Sequence, residues 1–285
     1  MVVRSYLRIA RPDIHLICLV YCEYLLQLMD KDQYYIEALG RGLSVLETFS
    51  RDSPSLSLTK IAEATGLSKS TAFRFIYTLE ELGFLNRDPE TKQYRPGLKV
   101  LRLGFTALNS LEMGQIAQRY LKALSSKCGC TTNMAVRDEA EIVYVARNKI
   151  QQILSVDLHL GSRLPVYCTC MGKAQLIDLS REELLHLLGP SPYRMMGPNT
   201  ITTLDGLVTE LAGVRRNGYA INDEELAAGL RAVGVPVRGR DKSIVAAINV
   251  SAPSAHLSRR EMEERLAPML LETAAEISLV LRAEV

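Results

Sequence analysis

The side chains best suited to chemistry in this chain stand close together: Ser68, Lys69, Ser70, Thr71, Phe73 and Arg74, followed by the cations Arg87, Lys92 and Arg95. Lysine and arginine bring fixed positive charge and several N–H donors, and hydroxyls serve as adaptable donors and acceptors. Such groups read base edges in the major groove and hold the phosphates of double-stranded DNA. The expected division gives base edges to Lys69, Ser70, Phe73 and Arg74, and phosphates to Thr71, Arg87, Lys92 and Arg95.

That chemistry needs a scaffold, and the flanking residues supply one. Leu58, Ile61 and Ala62 have the i, i+3, i+4 spacing of a helix lying on a core. Thr65-Gly66 breaks it, Leu67 follows as a buried plug, and Ser68 is suited to cap the next helix through its hydroxyl. In that helix, residues 68–82, Ala72, Ile76, Leu79 and Leu82 face the core, leaving Lys69, Ser70, Phe73, Arg74 and Tyr77 opposite. Two helices joined by a glycine turn match a helix-turn-helix whose second helix enters the groove N-terminus first. Beyond Gly83 the period becomes extended over residues 84–87, Asp88-Pro89-Glu90-Thr91 makes a turn, and residues 92–95 return. This hairpin makes the motif a winged helix-turn-helix. Ahead of it, Leu39, Leu43, Leu46 and Phe49 mark a first helix ended by Arg51-Asp52-Ser53-Pro54. Acids match cations over residues 35–97, so the case rests on distribution: the cations named above gather at the groove edge, while Glu47, Asp52 and Glu63 lie on earlier segments.

With 285 residues, 47% hydrophobic and 23% charged, the chain has room for two domains with separate cores. A net charge of +2 is too small to argue for nucleic acid by itself. The cysteines form close pairs, Cys18/Cys22, Cys128/Cys130 and Cys168/Cys170, expected as reduced thiols in the cytoplasm. The two Cys-x-Cys pairs have thiolates to offer zinc, but structural zinc sites favour wider spacing and no histidine completes either pair. His15, His159, His186 and His256 are scattered. No G-x-S-x-G, H-E-x-x-H or phosphate-binding glycine loop is present. No metal, cofactor or membrane partner is expected. Two rival classes stay open: an enzyme using Cys170 at a helix start as nucleophile, and a winged domain that binds protein.

After Pro96-Gly97 a long helical pattern runs from Leu98, Leu101, Leu103, Phe105, Leu108 and Leu111 through Ile116, Leu121 and Leu124. It is apolar over more than one face, which predicts pairing with a second copy; packing on its own domains is the plainer reading. Strands are expected at residues 131–136 and 142–146 around the turn Asp138-Glu139-Ala140-Glu141, and at 153–156, 219–222, 233–237 and 244–250. A loop is expected at residues 161–165, followed by a helix opening near Gly172. Further helices start at the capping boxes of Ser180 and Ser258, and another spans residues 204–216 before Asn217-Gly218. Without strict β-α-β alternation, the region is expected to be α+β with a mainly antiparallel sheet.

Several stretches in this order resemble the IclR family of bacterial transcriptional regulators over residues 36–281. They are the winged segment; Arg163-Leu164-Pro165 with Met171-Gly172-Lys173-Ala174; Gly218-Tyr219 with Asp223-Glu224-Glu225 and Gly229-Leu230-Arg231; and Ala246-Ala247-Ile248-Asn249-Val250-Ser251. Tyr35-Ile36-Glu37-Ala38-Leu39, Ile142-Val143-Tyr144-Val145-Ala146-Arg147 and Asn249-Val250-Ser251-Ala252 resemble the subgroup that controls aromatic-acid catabolism through protocatechuate and β-ketoadipate.

The resemblance implies a winged helix-turn-helix over residues 35–97, a linker helix over 98–127 that mediates dimerisation, and a GAF-like α+β domain over 128–285. That domain would hold a small organic acid, aromatic or dicarboxylic. By position the resemblance carries its effector site to Ile153, Val156, Leu164, Cys170, Met171, Asn222, Leu230, Ala232, Asn249 and Ser251. Backbone N–H groups at the start of the helix near Gly172 are suited to a carboxylate, with Asn249 and Ser251 as neutral donors. Some relatives carry small residues at the Cys170-Met171 positions and an acid at the Asn222 position. The implied protein is a homodimer or dimer of dimers on a palindromic operator, with no enzymatic activity and with RNA polymerase open as a further partner.

Residues 1–34 stand apart as an N-terminal extension. Arg4, Arg8 and Arg11 precede an apolar run at residues 14–21, too short to span a membrane as a helix and without small residues suited to cleavage after it. Met29 is the expected natural start. Intact-mass measurement on protein from its native source should give a chain beginning there, and a mass that includes residues 1–28 rules this out.

Overall fold

The computed structural model describes residues 34–50, 53–110, 112–150 and 158–283. The chain separates into two compact units, Met1–Gly104 and Phe105–Val285.

In the first unit, α1 (Glu37–Glu47), α2 (Leu58–Thr65) and α3 (Lys69–Glu81) precede a hairpin of β1 (Leu85–Arg87) and β2 (Tyr94–Pro96). Val45, Ile61, Ala72, Ile76, Leu85 and Tyr94 form its core. Ser57 and Ser68 cap α2 and α3 by accepting from the Lys60 and Thr71 backbone N–H groups. Between the helices Gly66 takes φ 67°, a left-handed conformation in which a Cβ would be strained. Leu56 adds a short bridge to Tyr94 beside the hairpin, a third extended segment that periodicity does not reveal. Leu39 and Leu43 are exposed, as is Leu82, which caps α3. The helical period is present at these residues, but among the described residues of this unit nothing covers them. The chain then enters α4 (Leu98–Ser110); Lys99 Nζ donates to Leu82 O at 2.9 Å, a cation at a helix C-terminus.

The second unit contains α5 (Glu112–Cys128) and a six-stranded sheet. The expected linker helix is thus helical on both sides of residue 111, which lies outside the described residues. The strands are β3 (Thr131–Asp138), β4 (Glu141–Asn148), β5 (Arg163–Pro165), β6 (Ala220–Asp223), β7 (Leu230–Arg238) and β8 (Ile244–Pro253). They lie in the order β5-β4-β3-β8-β7-β6, and each neighbouring pair is antiparallel. Residues 163–165, expected as loop, pair with β4 in the register Ile142↔Leu164; three residues are too few for a period to be read. The expected strand at residues 153–156 lies outside the described residues.

Helices cover both faces of this sheet. One face packs on α5 and on α10 (Ala267–Ala283), which follows α9 (Arg259–Glu261) through a π turn at Met262–Leu266. The other carries α6 (Cys170–Leu176) and α8 (Leu204–Asn217), with α7 (Arg181–Leu188) alongside α8. Strand alternation divides the residues between them: Met134, Ile248 and Val233 face one core, Ala135, Ala247 and Ala232 the other.

The close seating of α6 depends on two glycines. A Cβ on Gly234 of β7 would stand 3.1 Å from Cys170 backbone and sulfur, and one on Gly172 would stand 2.2 Å from Val166 O. Gly172→Ala is expected to lower stability by about 3 kcal/mol through this overlap with backbone. Thermal unfolding checks it, and an unchanged Tm would contradict it.

Candidate nucleic-acid interface and ligand pocket

Local sequence sets the exposed end of α3. Ser68 Oγ accepts from Thr71 N at 3.2 Å and also contacts the hydroxyls of Ser70 and Thr71, at 3.1 and 2.9 Å. Three hydroxyls are thereby gathered at the positive end of the helix. Lys69, Ser70 and Arg74 are exposed beside them. Among the described residues no acid lies within ion-pair distance of Lys69 or Arg74, so their charge is available to a partner. Phe73 is 46% exposed and Tyr77 54% exposed, their rings 6.3 Å apart. Two neighbouring aromatics exposed on a cationic helix face are apolar surface that a bound partner would cover.

The hairpin separates its cations. The register Asn86↔Arg95 and Arg87↔Tyr94 puts Arg95 on one face and Arg87 on the other, with the Arg87 guanidinium 5.6 Å from the Tyr94 ring centre. Lys92 stands at the turn with φ 57°. Asp88 fixes that turn by accepting from Glu90 N and Thr91 N at 2.9 and 2.8 Å. These backbone N–H groups, Thr91 first, hold its carboxyl below the usual range. The expected clustering of Arg87, Lys92 and Arg95 is therefore a spread over both faces and the tip.

In the second unit, polar side chains line a cleft between the sheet and the start of α6. About 550 Å³ is free of atoms there, part of it open to solvent. Strand register builds the lining. Arg147, Asn133 and Asn249 are neighbours across β4, β3 and β8; one step along, Thr131, Ser251, Ala232 and Asn222 cross β3, β8, β7 and β6. Asn133 Nδ2 donates to Asn249 Oδ1 at 2.7 Å, and Asn249 Nδ2 to Cys170 Sγ at 3.5 Å. Asn222 Nδ2 donates to Cys168 O at 2.9 Å, while its Oδ1 accepts from Glu225 N at 3.1 Å.

Of the expected effector residues, Cys170, Asn222, Leu230, Ala232, Asn249 and Ser251 line this cleft. Met171 and Leu164 do not: Met171 is fully buried in the core under α6, and Leu164 packs against that core from edge strand β5. Ile153 and Val156 lie outside the described residues. The helix begins at Cys170, two residues ahead of expectation, because Thr169 caps it by accepting from Gly172 N at 3.1 Å. The Gly172 N–H expected to meet a carboxylate is thus already bonded. The lining residues that periodicity misses include Thr131, Asn133, Tyr144, Arg147, Thr169 and Leu226. Arg147 and Tyr144 would fall on opposite faces by simple alternation. A bulge opposite Met134 and Ala135 shifts the register by one residue and returns both to the cleft.

Burial pushes the Cys170 thiol up to about 11, a protonated group at neutral pH. Burial thus works against the thiolate that a nucleophile would need. The two Cys-x-Cys pairs belong to different cores on opposite faces of the sheet, so they cannot share one metal ion. No helix of the described residues is long and apolar enough to cross a membrane.

Below the cleft, Lys173 is completely buried, its Nζ 2.6 Å from Glu225 Oε1 and 3.0 Å from Glu210 Oε1. Burial raises the Glu225 carboxyl above its ordinary range even with the ammonium beside it.

Comparison with known proteins places both units in one family. The IclR helix-turn-helix domain matches residues 38–89, and the family described as Bacterial transcriptional regulator IclR C-terminal matches residues 105–279. The Pca regulon regulatory protein of Pseudomonas putida is 32% identical over 253 residues, covering 88% of this chain and 86% of that protein. The p-hydroxybenzoate hydroxylase transcriptional activator of Acinetobacter baylyi is 32% identical over 248 residues, covering 85% and 91%. Among solved structures, an IclR homolog from Microbacterium hydrocarbonoxydans complexed with 4-hydroxybenzoate superposes with a TM-score of 0.73 at 26% identity. It covers 87% of this chain and 100% of its own.

The buried ion pair makes its own prediction. Lys173→Met strands the Glu225 carboxylate and should cost about 3–5 kcal/mol at pH 8. The raised Glu225 carboxyl binds its proton more readily folded than unfolded, so its contribution is largest at low pH and declines as pH rises through the folded value. The deficit of the variant should therefore narrow toward pH 5. Denaturant unfolding at both pH values tests this; a deficit independent of pH contradicts it.

Proposed function

This chain belongs to the IclR family of bacterial transcriptional regulators, and from that premise we propose that it binds operator DNA through α3 and the hairpin and answers to a small organic acid held beside α6. The observation that carries the reading is the capped N-terminus of α3, where Ser68, Ser70 and Thr71 converge and Lys69 and Arg74 stand exposed without an acidic partner among the described residues. Lys69, Ser70, Phe73 and Arg74 read base edges; Thr71, Lys92, Arg87 and Arg95 hold phosphates. With Arg87 and Arg95 on opposite faces of the hairpin, the wing follows the backbone on both sides and does not present one basic patch.

Arg147 supplies the positive charge in the cleft that an organic acid requires, and Asn249, Ser251 and Thr131 supply neutral partners. The relatives' names support an aromatic acid: one solved structure holds 4-hydroxybenzoate and one relative activates p-hydroxybenzoate hydroxylase. A ligand bound there meets the first turn of α6 and the sheet together. It favours whichever arrangement of paired readers brings those elements closest, and so shifts operator affinity by population. Pairing of copies is supported by Leu98, Leu101 and Leu103, which are exposed on α4. We place residues 35–97 as the reader, 98–127 as the linker and 128–285 as the effector domain, in a cytoplasmic protein with access to bacterial DNA.

Gel shift with DNA upstream of the gene, with and without aromatic acids, tests the whole reading; no shift on any such DNA sinks it. Arg74→Ala should cost about 1–3 kcal/mol on the specific site, whereas Lys92→Ala should weaken all sequences evenly and lower the salt slope. Equal losses on specific and random DNA from both variants contradict the division. Arg147→Gln should leave operator binding intact and abolish the response to the acid. A retained response removes Arg147 from the effector site.

A further inference from the structure

Two cysteines that take no part in the effector reading sit at a joint. Cys128 is the last residue of α5, Gly129 turns the chain with φ 69°, and Cys130 leads into β3. The left-handed conformation favours glycine at the middle position, and the turn brings both sulfurs together. Cys128 Sγ is 3.9 Å from Ser125 O and 4.0 Å from Cys130 O, and Cys130 Sγ is 3.4 Å from Cys128 O. Each thiol thus lies against the carbonyl of the other residue. Both keep 8% of their surface, within reach of a small reagent. A hydrogen bond from the Cys130 thiol lowers Cys128 to about 7, against the opposing effect of burial, and Arg265 adds positive charge. The same bond, with burial, holds Cys130 above its ordinary range. A thiolate with a second thiol beside it has the parts for attack and then for resolution.

The second Cys-x-Cys pair lacks this arrangement. Cys168 and Cys170 are 0% and 1% exposed. Thr169 between them is extended, φ −122° and ψ 141°, which sets their Cα atoms about 6.6 Å apart, near the upper end of what a disulfide spans. Their sulfurs take different partners, Pro165 O for Cys168 and Asn249 Nδ2 for Cys170, and burial pushes the thiols up to about 12 and about 11. We propose that Cys128 and Cys130 are a site of reversible oxidation, at which a hydroperoxide oxidises Cys128 and Cys130 then closes a disulfide across Gly129. In the first step the Cys128 sulfur attacks one peroxide oxygen and the O–O bond breaks. The sulfur becomes a sulfenic acid, and its former proton leaves with the other oxygen as an alcohol or water. In the second step the Cys130 sulfur forms the S–S bond, and the sulfenic oxygen departs as water with the Cys130 proton. Two thiols are oxidised by two electrons and one hydroperoxide is reduced by the same two. Closing this small ring draws Cys130 toward the end of α5. There Ser125 Oγ donates to Cys130 O at 2.8 Å and Gly129 N to Ser125 O at 2.9 Å. The disulfide therefore competes with the bonds that end α5 and lead into β3, whose first residue, Thr131, lines the cleft.

Treatment of the folded full-length protein with hydrogen peroxide or tert-butyl hydroperoxide tests this, followed by N-ethylmaleimide in denaturant and mass analysis of tryptic peptides. The peptide of residues 128–137 should be lighter by two hydrogens and should regain them with dithiothreitol. The peptide of residues 164–173, which carries Cys168 and Cys170, should take maleimide on both cysteines. Cys130→Ser should stop at a Cys128 sulfenic acid that dimedone traps. Cys128→Ser should slow oxidation of the remaining Cys130 by about tenfold near neutral pH. Amide hydrogen exchange over residues 125–132 should speed up several-fold on oxidation and recover on reduction. Equal oxidation of both peptides, sulfonic acid without a disulfide, or a disulfide with unchanged exchange each overturns the inference. If a variant does not fold, the wild-type protein decides, since residues 164–173 serve as its internal control.

Discussion

The contact between α6 and β7 governs the effector half of this protein. Gly234 leaves room for the first turn of the helix to rest on the sheet at Cys170, and Gly172 lets the same turn pass Val166 without collision. Once the helix is seated there, Thr169 becomes its cap, Cys170 meets Asn249, and Asn222 reaches back to Cys168 O. The cleft is the space this seating leaves uncovered. Its walls are set by close-packed backbone, which deforms little, so a ligand there meets a shaped site.

Polar groups inside this unit are held by long-range pairing. Asn133 and Asn249 are 116 residues apart, and Lys173 and Glu225 are 52 apart. Each pair is expensive to bury singly and acceptable only when the partner arrives with it. The reading helix is built by the opposite means. Its hydroxyls and cations lie within a few residues of one another, its cap is local, and water solvates its charges until a partner displaces it. One unit thus stores specificity in register, the other in contiguous sequence.

This contrast explains which predictions held. The helix-turn-helix, its cap at Ser68, the turn at Gly66 and the capping box at Ser180 depend on neighbours in sequence, and each stands where spacing puts it. The positions of Cys170, Asn222, Asn249 and Ser251 beside the cleft follow from the family resemblance, since no periodicity marks them. Leu164 and Met171, carried over in the same way, point into packed core. Leu39 and Leu43 have a core-facing period, and none of the described residues covers them.

By itself the sequence determined the two-part organisation, the reader with its exposed Lys69 and Arg74, and the alternation that makes a two-faced sheet, because these depend on side-chain period, capping chemistry and turn residues acting over short range. Tertiary structure alone decided that Arg147 joins Tyr144 at the cleft and that Asn133 ends with a buried oxygen. The first needs a one-residue bulge that reverses alternation; the second needs three strands and a helix brought together from distant parts of the chain. Neither a bulge nor a leftover lone pair has a residue type or spacing that announces it.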